Sequence, residues 1–182
     1  MIMDFVKSEI EGLVIIEPKV FKDDRGYFFE SYNKKGLKDN GIDVDFVQDN
    51  QSLSQKGVLR GLHFQNPPYA QAKLVSVIKG SVLDVAVDIR KDSKTYGDYV
   101  AVELSGENKK MFFIPEGFAH GFLTLEDDTI FSYKCSNFYN KESEGSLLWN
   151  DANLNINWGI EDPILSGKDN IAHAFNQFES QF

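Results

Sequence analysis

The 182-residue chain has a formal net charge of −9, 42% hydrophobic residues, 13% aromatic residues and one cysteine. That length fits one domain, residues 1–182, able to bury roughly 70% of its unfolded surface without a staple. The negative charge argues against a nucleic-acid partner and an acidic membrane surface, and the lone Cys135 excludes an internal disulfide and fits a reducing compartment.

The start of the chain carries Asp4, Glu9 and Glu11 and lacks the apolar run of a signal peptide. No segment approaches the roughly 20 apolar residues of a membrane span, so the expectation is a soluble cytoplasmic protein. Apolar runs then recur with turn chemistry between them, which is the all-β pattern. Residues 13–16 read as a strand stopped by Pro18, and residues 26–32 as another after the turn Asp23-Asp24-Arg25. Residues 33–40 read as a short helix ended by Asn40-Gly41. Strands are expected at 44–48, 58–65, 73–79, 82–88, 99–104, 111–114, 118–125 and 129–138, with a short helix in 166–178. Many short strands at this spacing predict a sandwich or jelly roll.

Lys79-Gly80 has the form of a two-residue hairpin turn joining 73–78 to 81–88. In that register Gln71, Lys73, Val75 and Val77 share a face with Val82, Asp84, Ala86 and Asp88, and the other face is nearly all apolar. The polar face either meets water or lines a barrel interior. If it lines an interior, Asp84 is placed to partner Lys73.

The densest chemistry lies in Leu59-Arg60-Gly61-Leu62-His63-Phe64-Gln65. Arginine binds phosphate bidentately where lysine offers a point charge, and this chain has only Arg25, Arg60 and Arg90. Histidine moves protons near neutral pH. The bland alternative is a loop-capping arginine and a satisfied core histidine. Strict strand alternation sets Arg60 and His63 on opposite faces, unless Gly61 marks a bulge or Arg60 precedes the regular strand.

Pro115-Glu116-Gly117-Phe118-Ala119-His120-Gly121-Phe122 matches the P-x-G-x-x-H signature of cupin double-stranded β-helices. Metal cupins add an earlier H-x-H, but here Phe64-Gln65 follows His63. Two histidines without a carboxylate make a poor site for zinc, iron or manganese, so no metal is expected.

The whole chain resembles the dTDP-4-dehydrorhamnose 3,5-epimerase family. The resemblance is carried by Phe21-Lys22-Asp23-Asp24-Arg25-Gly26-Tyr27-Phe28-Phe29-Glu30, Phe46-Val47-Gln48-Asp49-Asn50, the run from Leu59 to Gln65 and Ala70-Gln71-Ala72-Lys73-Leu74-Val75. It continues through the segment from Pro115 to Phe122, Tyr133-Lys134-Cys135, Tyr139, Glu144-Gly145, Leu148-Trp149-Asn150-Asp151 and Leu165-Ser166-Gly167-Lys168-Asp169. Each motif is weak alone; their order and spacing together are specific. Two departures, Ala72 where the family often has glycine and Gly159 where it often has proline, touch no proton-transfer position.

The resemblance implies an all-β cupin jelly roll with short peripheral helices, acting as a homodimer without cofactor on a dTDP-linked 4-keto-6-deoxy sugar. A C4 ketone acidifies the C–H bonds at C3 and C5, so inversion needs a base on one face, an acid on the other and a donor at the enolate oxygen. By resemblance His63 is the base, with Asp169 as its supporting carboxylate, Tyr133 the acid and Lys73 the enolate stabiliser. His120 hydrogen-bonds the sugar, and Arg25, Arg60 and Lys168 meet charged or polar groups of the substrate. Tyr139 stacks on thymine, while Glu30, Gln48, Asn50 and Glu144 are hydrogen-bonding contacts. Competing expectations are an epimerase acting at one carbon or on a related nucleotide sugar, a ketoisomerase, and a sugar-binding module without catalysis. The last needs no acid and base facing one ligand.

Overall fold

The computed structural model describes residues 3–182. Short strands β1 (Met3–Lys7), β2 (Val14–Pro18), β3 (Phe21–Asp23) and β4 (Gly26–Phe28) lead into helix α1 (Lys34–Asp39). The main body follows: β5 (Gln48–Ser54), β6 (Leu59–Gln65), β7 (Lys73–Lys79), β8 (Ser81–Asp88) and β9 (Tyr99–Ser105). It closes with β10 (Met111–Ile114), β11 (Phe118–Thr124), β12 (Thr129–Cys135) and β13 (Glu144–Ser146). A six-stranded sheet in the order β1-β2-β10-β7-β12-β5 packs on a five-stranded sheet, β13-β6-β11-β8-β9, while β3 and β4 form a separate ribbon. The pairings are antiparallel. This is the jelly roll expected from the strand spacing.

Three apolar clusters explain why so many strands read as near-continuous hydrophobic runs. Val75, Val77, Val82, Ala86, Phe112 and Phe131 belong to the core between the sheets. The outer face of the five-stranded sheet buries Leu62, Val85, Val87 and Leu147 with Trp158 of the C-terminal segment. Leu37 of α1 packs with Ile16, Leu74 and Phe113 on the outer face of the other sheet. The helix starts where the Asn33 side chain accepts the Gly36 N–H at 2.9 Å, satisfying one of the free donors of the first turn.

The expected hairpin at Lys79-Gly80 is not one. β7 pairs with β10 and β12, whereas β8 pairs with β11 and β9, so the dipeptide is a corner between sheets. Gly80 has φ +78°, and a Cβ there would lie 2.2 Å from Thr129 Oγ1, so close approach as well as turning requires glycine. The expected sharing of a face holds in another form, because the two strands lie face to face across the core. The expected strand at 44–48 is also displaced. Val44 and Phe46 pack beside the α1 cluster as irregular chain, and β5 starts at Gln48. The tail folds as two short 3-10 turns, Asp169–Ile171 and Phe175–Gln177, rather than one helix.

Candidate active site

Gly61 settles how Arg60 and His63 are aimed. In the β6–β11 register His63 faces His120 and Arg60 faces Phe122, so two residues of β6 oppose one of β11. That bulge breaks the alternation and turns both side chains into one cavity. Gly61 has φ +138°, and a Cβ there would sit 2.5 Å from Gly121 Cα.

The cavity lies between the sheets, has a volume of about 510 Å³, and is walled by Arg60, His63, Lys73, His120, Tyr133 and Asp169 among others. A second chamber of about 380 Å³ shares His63, Lys73 and Tyr133 and extends to Asn50, Tyr139 and Glu144. His63 comes from β6 in one sheet and Tyr133 from β12 in the other, so a ligand between the sheets meets them from opposite sides.

His63 Nε2 lies 2.6 Å from Asp169 Oδ1, and Ser166 Oγ donates to Asp169 Oδ2 at 2.8 Å. Burial works to raise the Asp169 pKa; the bonds from His63 and Ser166 outweigh it and hold the carboxyl below its ordinary value. With Nε2 donating to the carboxylate, Nδ1 carries the ring's lone pair and has no protein partner among the described residues.

His120 Nε2 contacts both oxygens of Asp84, at 3.0 and 2.9 Å, in a fully enclosed pair. Asp84 is therefore bonded to His120 rather than to Lys73. Burial pushes the His120 pKa down against the pull of Asp84, favouring a neutral ring. Burial likewise lowers the pKa of Lys73, with Cys135, Asp84 and Glu144 opposing it. Lys73 forms no ion pair among the described residues, which leaves its nitrogen free to meet a ligand oxygen. Tyr133 has its pKa raised by burial, against the influence of Arg60 and Asn50.

In the wall of the first cavity, Ser54 Oγ accepts from Arg60 Nε at 3.2 Å and leaves the terminal nitrogens of the fork for an anion. Ser54 was not singled out by sequence; the alternation Gln48, Asn50, Ser52, Ser54 was its only signal. Tyr139 is 58% exposed, and its hydroxyl donates to Glu144 Oε2 at 3.2 Å. Lys168 forms an ion pair with the other oxygen of Glu144. Gln48 Nε2 donates to Asn50 Oδ1 at 3.1 Å. Arg25 and Glu30 lie elsewhere. Arg25, at the turn between β3 and β4, projects into solvent and pairs with Asp23 at 2.6 Å, while Glu30 accepts from Asn33 at 3.0 Å. Among the described residues no group of three or more His, Cys, Asp or Glu is arranged to hold a metal.

A jelly roll with a His–Asp pair on one wall of a polar cavity and a tyrosine on the other has the parts of an acid–base catalyst acting on two faces of one ligand. The family model for dTDP-4-dehydrorhamnose 3,5-epimerase matches residues 7–177. A curated relative of that name from Shigella flexneri is 55% identical over 168 residues, spanning 92% of this chain and 93% of its own. One from Methanothermobacter thermautotrophicus is 52% identical over 168 residues, spanning 91% and 90%. The crystal structure of the Elizabethkingia anophelis enzyme superposes with a TM-score of 0.92 at 54% identity, covering 97% of this chain and 98% of that one. A Legionella pneumophila epimerase in complex with dTDP-4-keto-L-rhamnose gives 0.93 at 50% identity, covering 97% and 95%. The chain belongs to the dTDP-4-dehydrorhamnose 3,5-epimerase family.

Proposed function

We propose that this protein inverts C3 and C5 of dTDP-4-dehydro-6-deoxy-D-glucose to give dTDP-4-dehydro-L-rhamnose, a step towards dTDP-L-rhamnose. The observation that carries this reading is the placement of His63, backed by Asp169, and Tyr133 on opposite walls of one cavity.

His63 Nδ1 removes the proton from the carbon beside the C4 ketone, and the electron pair passes into the enolate. Lys73 meets the charge developing on the C4 oxygen, and a neutral, Asp84-held His120 offers hydrogen bonding to the sugar. Tyr133 then delivers its proton to the opposite face of the carbon, and the phenolate and the imidazolium re-equilibrate with solvent. Repeating the sequence at the second carbon completes the reaction. Arg60 and Lys168 supply local positive charge for the diphosphate inside a chain whose net charge is −9, and Tyr139 stacks on the base.

The working unit is a homodimer. The β3–β4 ribbon leaves Phe21 47%, Tyr27 57% and Phe28 70% exposed, a surface that a second copy would cover. Arg25 and Glu30, remote from the cavity of their own chain, are then free to serve the partner's cavity. The cellular setting is the cytoplasm, in keeping with a free, buried Cys135; no helix among the described residues is long and apolar enough to cross a membrane.

The direct test follows deuterium by NMR in D₂O with dTDP-4-keto-6-deoxyglucose. Incorporation with inversion at both C3 and C5 is expected. Reaction at one carbon alone replaces the reading with a single-centre epimerase, as the 3'-monoepimerase of Streptomyces bikiniensis, 33% identical, is named. No incorporation together with tight dTDP binding leaves a binding module.

A further inference from the structure

Phe138 and Tyr139 are 62% and 58% exposed, so the segment between β12 and the 3-10 turn Lys141–Ser143 does not anchor itself by burying these two rings. It is held by its backbone instead, and the partners are three glutamine side chains from separate places in the chain. Gln71 Nε2 donates to the Asn137 carbonyl at 2.7 Å, and Gln65 Nε2 to the Phe138 carbonyl at 3.2 Å. The Tyr139 N–H donates to Gln48 Oε1 at 3.2 Å, and the Asn140 N–H to Gln65 Oε1 at 2.7 Å. Four consecutive residues are each tied once to a glutamine, and all three glutamines line the second chamber.

Gln65 is the centre of this arrangement. It is 5% exposed, and its Nε2 also donates to the Tyr69 carbonyl at 2.6 Å. Two carbonyls at Nε2 and one N–H at Oε1 fix a single amide orientation and use both amide protons, so the side chain has none left to donate to a ligand. It rides on β6 two residues after His63, and both side chains reach the same chamber. The strand that carries the base therefore also fixes the segment that carries Tyr139. Resting on the reading that Tyr139 stacks on thymine, we propose that Gln65 is a positioning residue that holds residues 137–140 in their nucleotide-binding shape, with Gln48 and Gln71 as flanking ties. The ordering of an exposed aromatic is then completed on folding instead of on binding, which favours any ligand that carries the base.

Gln65→Met keeps the length of the side chain and removes its hydrogen bonds. In ligand-free protein the Asn140 amide should lose protection against hydrogen–deuterium exchange while β11 keeps its own; unchanged exchange at Asn140 overturns the proposal. Affinity for dTDP should fall by roughly 5- to 10-fold, whereas affinity for inorganic pyrophosphate, which has no base to stack, should stay within about twofold. Turnover should show a raised KM with kcat within about twofold, the mark of lost uniform binding. Combination with Tyr139→Ala should bring little further loss of dTDP affinity, because both changes act through one aromatic contact. A purely structural role predicts the reverse: dTDP and pyrophosphate weakened alike, kcat reduced with stability, and losses that add to those of Tyr139→Ala. That result would overturn the proposal. Unchanged dTDP affinity in Tyr139→Ala alone would instead remove the stacking reading on which it rests, and the dTDP and exchange measurements hold whichever sugar the wild type turns over. Gln71→Met, which cuts only the tie to Asn137, should give a smaller change of the same sign and decides the matter if Gln65→Met folds poorly.

Discussion

His63 and Asp169 are 106 residues apart in the chain and 2.6 Å apart in space, joined through Nε2 and Oδ1. The histidine rides on β6, inside the sandwich, while the carboxylate arrives on a C-terminal segment that belongs to neither sheet. Its side chain is only 3% exposed, so the proton it accepts is shielded from competing water. Docking of this segment thus fixes the imidazole with Nε2 towards the carboxylate and Nδ1 free, the arrangement that the proposed base requires.

Asp169→Asn should therefore damage chemistry far more than binding. The amide keeps the shape but not the charge that supports an imidazolium. Proton abstraction, read as the first-order rate of deuterium entry in D₂O, should fall by roughly 100-fold or more, with dTDP affinity little changed. Wild-type exchange rates in this variant would rule out the dyad.

His63→Ala and Tyr133→Phe should fail differently. Without His63 neither enolate forms, and exchange at C3 and C5 is abolished. Without the Tyr133 hydroxyl the base remains, so exchange at one or both carbons persists while inversion falls by roughly 10²- to 10⁴-fold. Equal loss of exchange in both variants would mean that Tyr133 also assists abstraction. Circular dichroism and dTDP titration establish beforehand that each variant folds and binds.

The bulge at Gly61 links stability to aim. A methyl group there has 2.5 Å to Gly121 Cα, which is backbone and cannot turn aside, and φ is +138°. Gly61→Ala should cost about 3 kcal/mol or more in chemical denaturation and lower kcat/KM beyond what the unfolded fraction explains, because Arg60 and His63 lose their common facing. A folded, fully active Gly61→Ala enzyme would show that the bulge is not needed.

Acid sensitivity should originate away from the cavity as well as within it. Burial opposes ionisation of Asp88, but bonds from Arg90, Ser93 and Thr95 prevail and bring its pKa down to about 2 from 3.8. A carboxyl depressed on folding contributes stability above its unfolded pKa and loses it as pH falls through the folded value. About 2 kcal/mol should accordingly disappear between roughly pH 4 and pH 2, and Asp169, shifted the same way, adds to the loss. Asp88→Asn should be less stable than wild type at neutral pH and show a shallower acid limb in urea denaturation. Parallel pH profiles for the two proteins would contradict the assignment.

The sequence by itself determined the strand content, several strand bounds and the family. β7 and β10 fall at the bounds expected, and β10, buried at all four positions, shows how burial on both faces writes an unbroken hydrophobic run into the chain. The motifs around Arg60, Lys73, His120, Tyr133 and Asp169 named the cavity's walls in advance. Tertiary structure alone decided the pairing. A two-residue link with glycine suits a hairpin and an inter-sheet corner equally, and only the partner strands of β7 and β8 choose between them. β5 was misplaced for a related reason: its inward positions Gln48, Asn50 and Ser52 line the cavities and are polar like their outward neighbours, so its period of two carries no apolar signal where function replaces packing. The bulge that aims both Arg60 and His63 and the Asp84–His120 pair are likewise products of register. Local propensity acts over a few residues, whereas these contacts join strands far apart in the chain and form only once the two sheets close on each other.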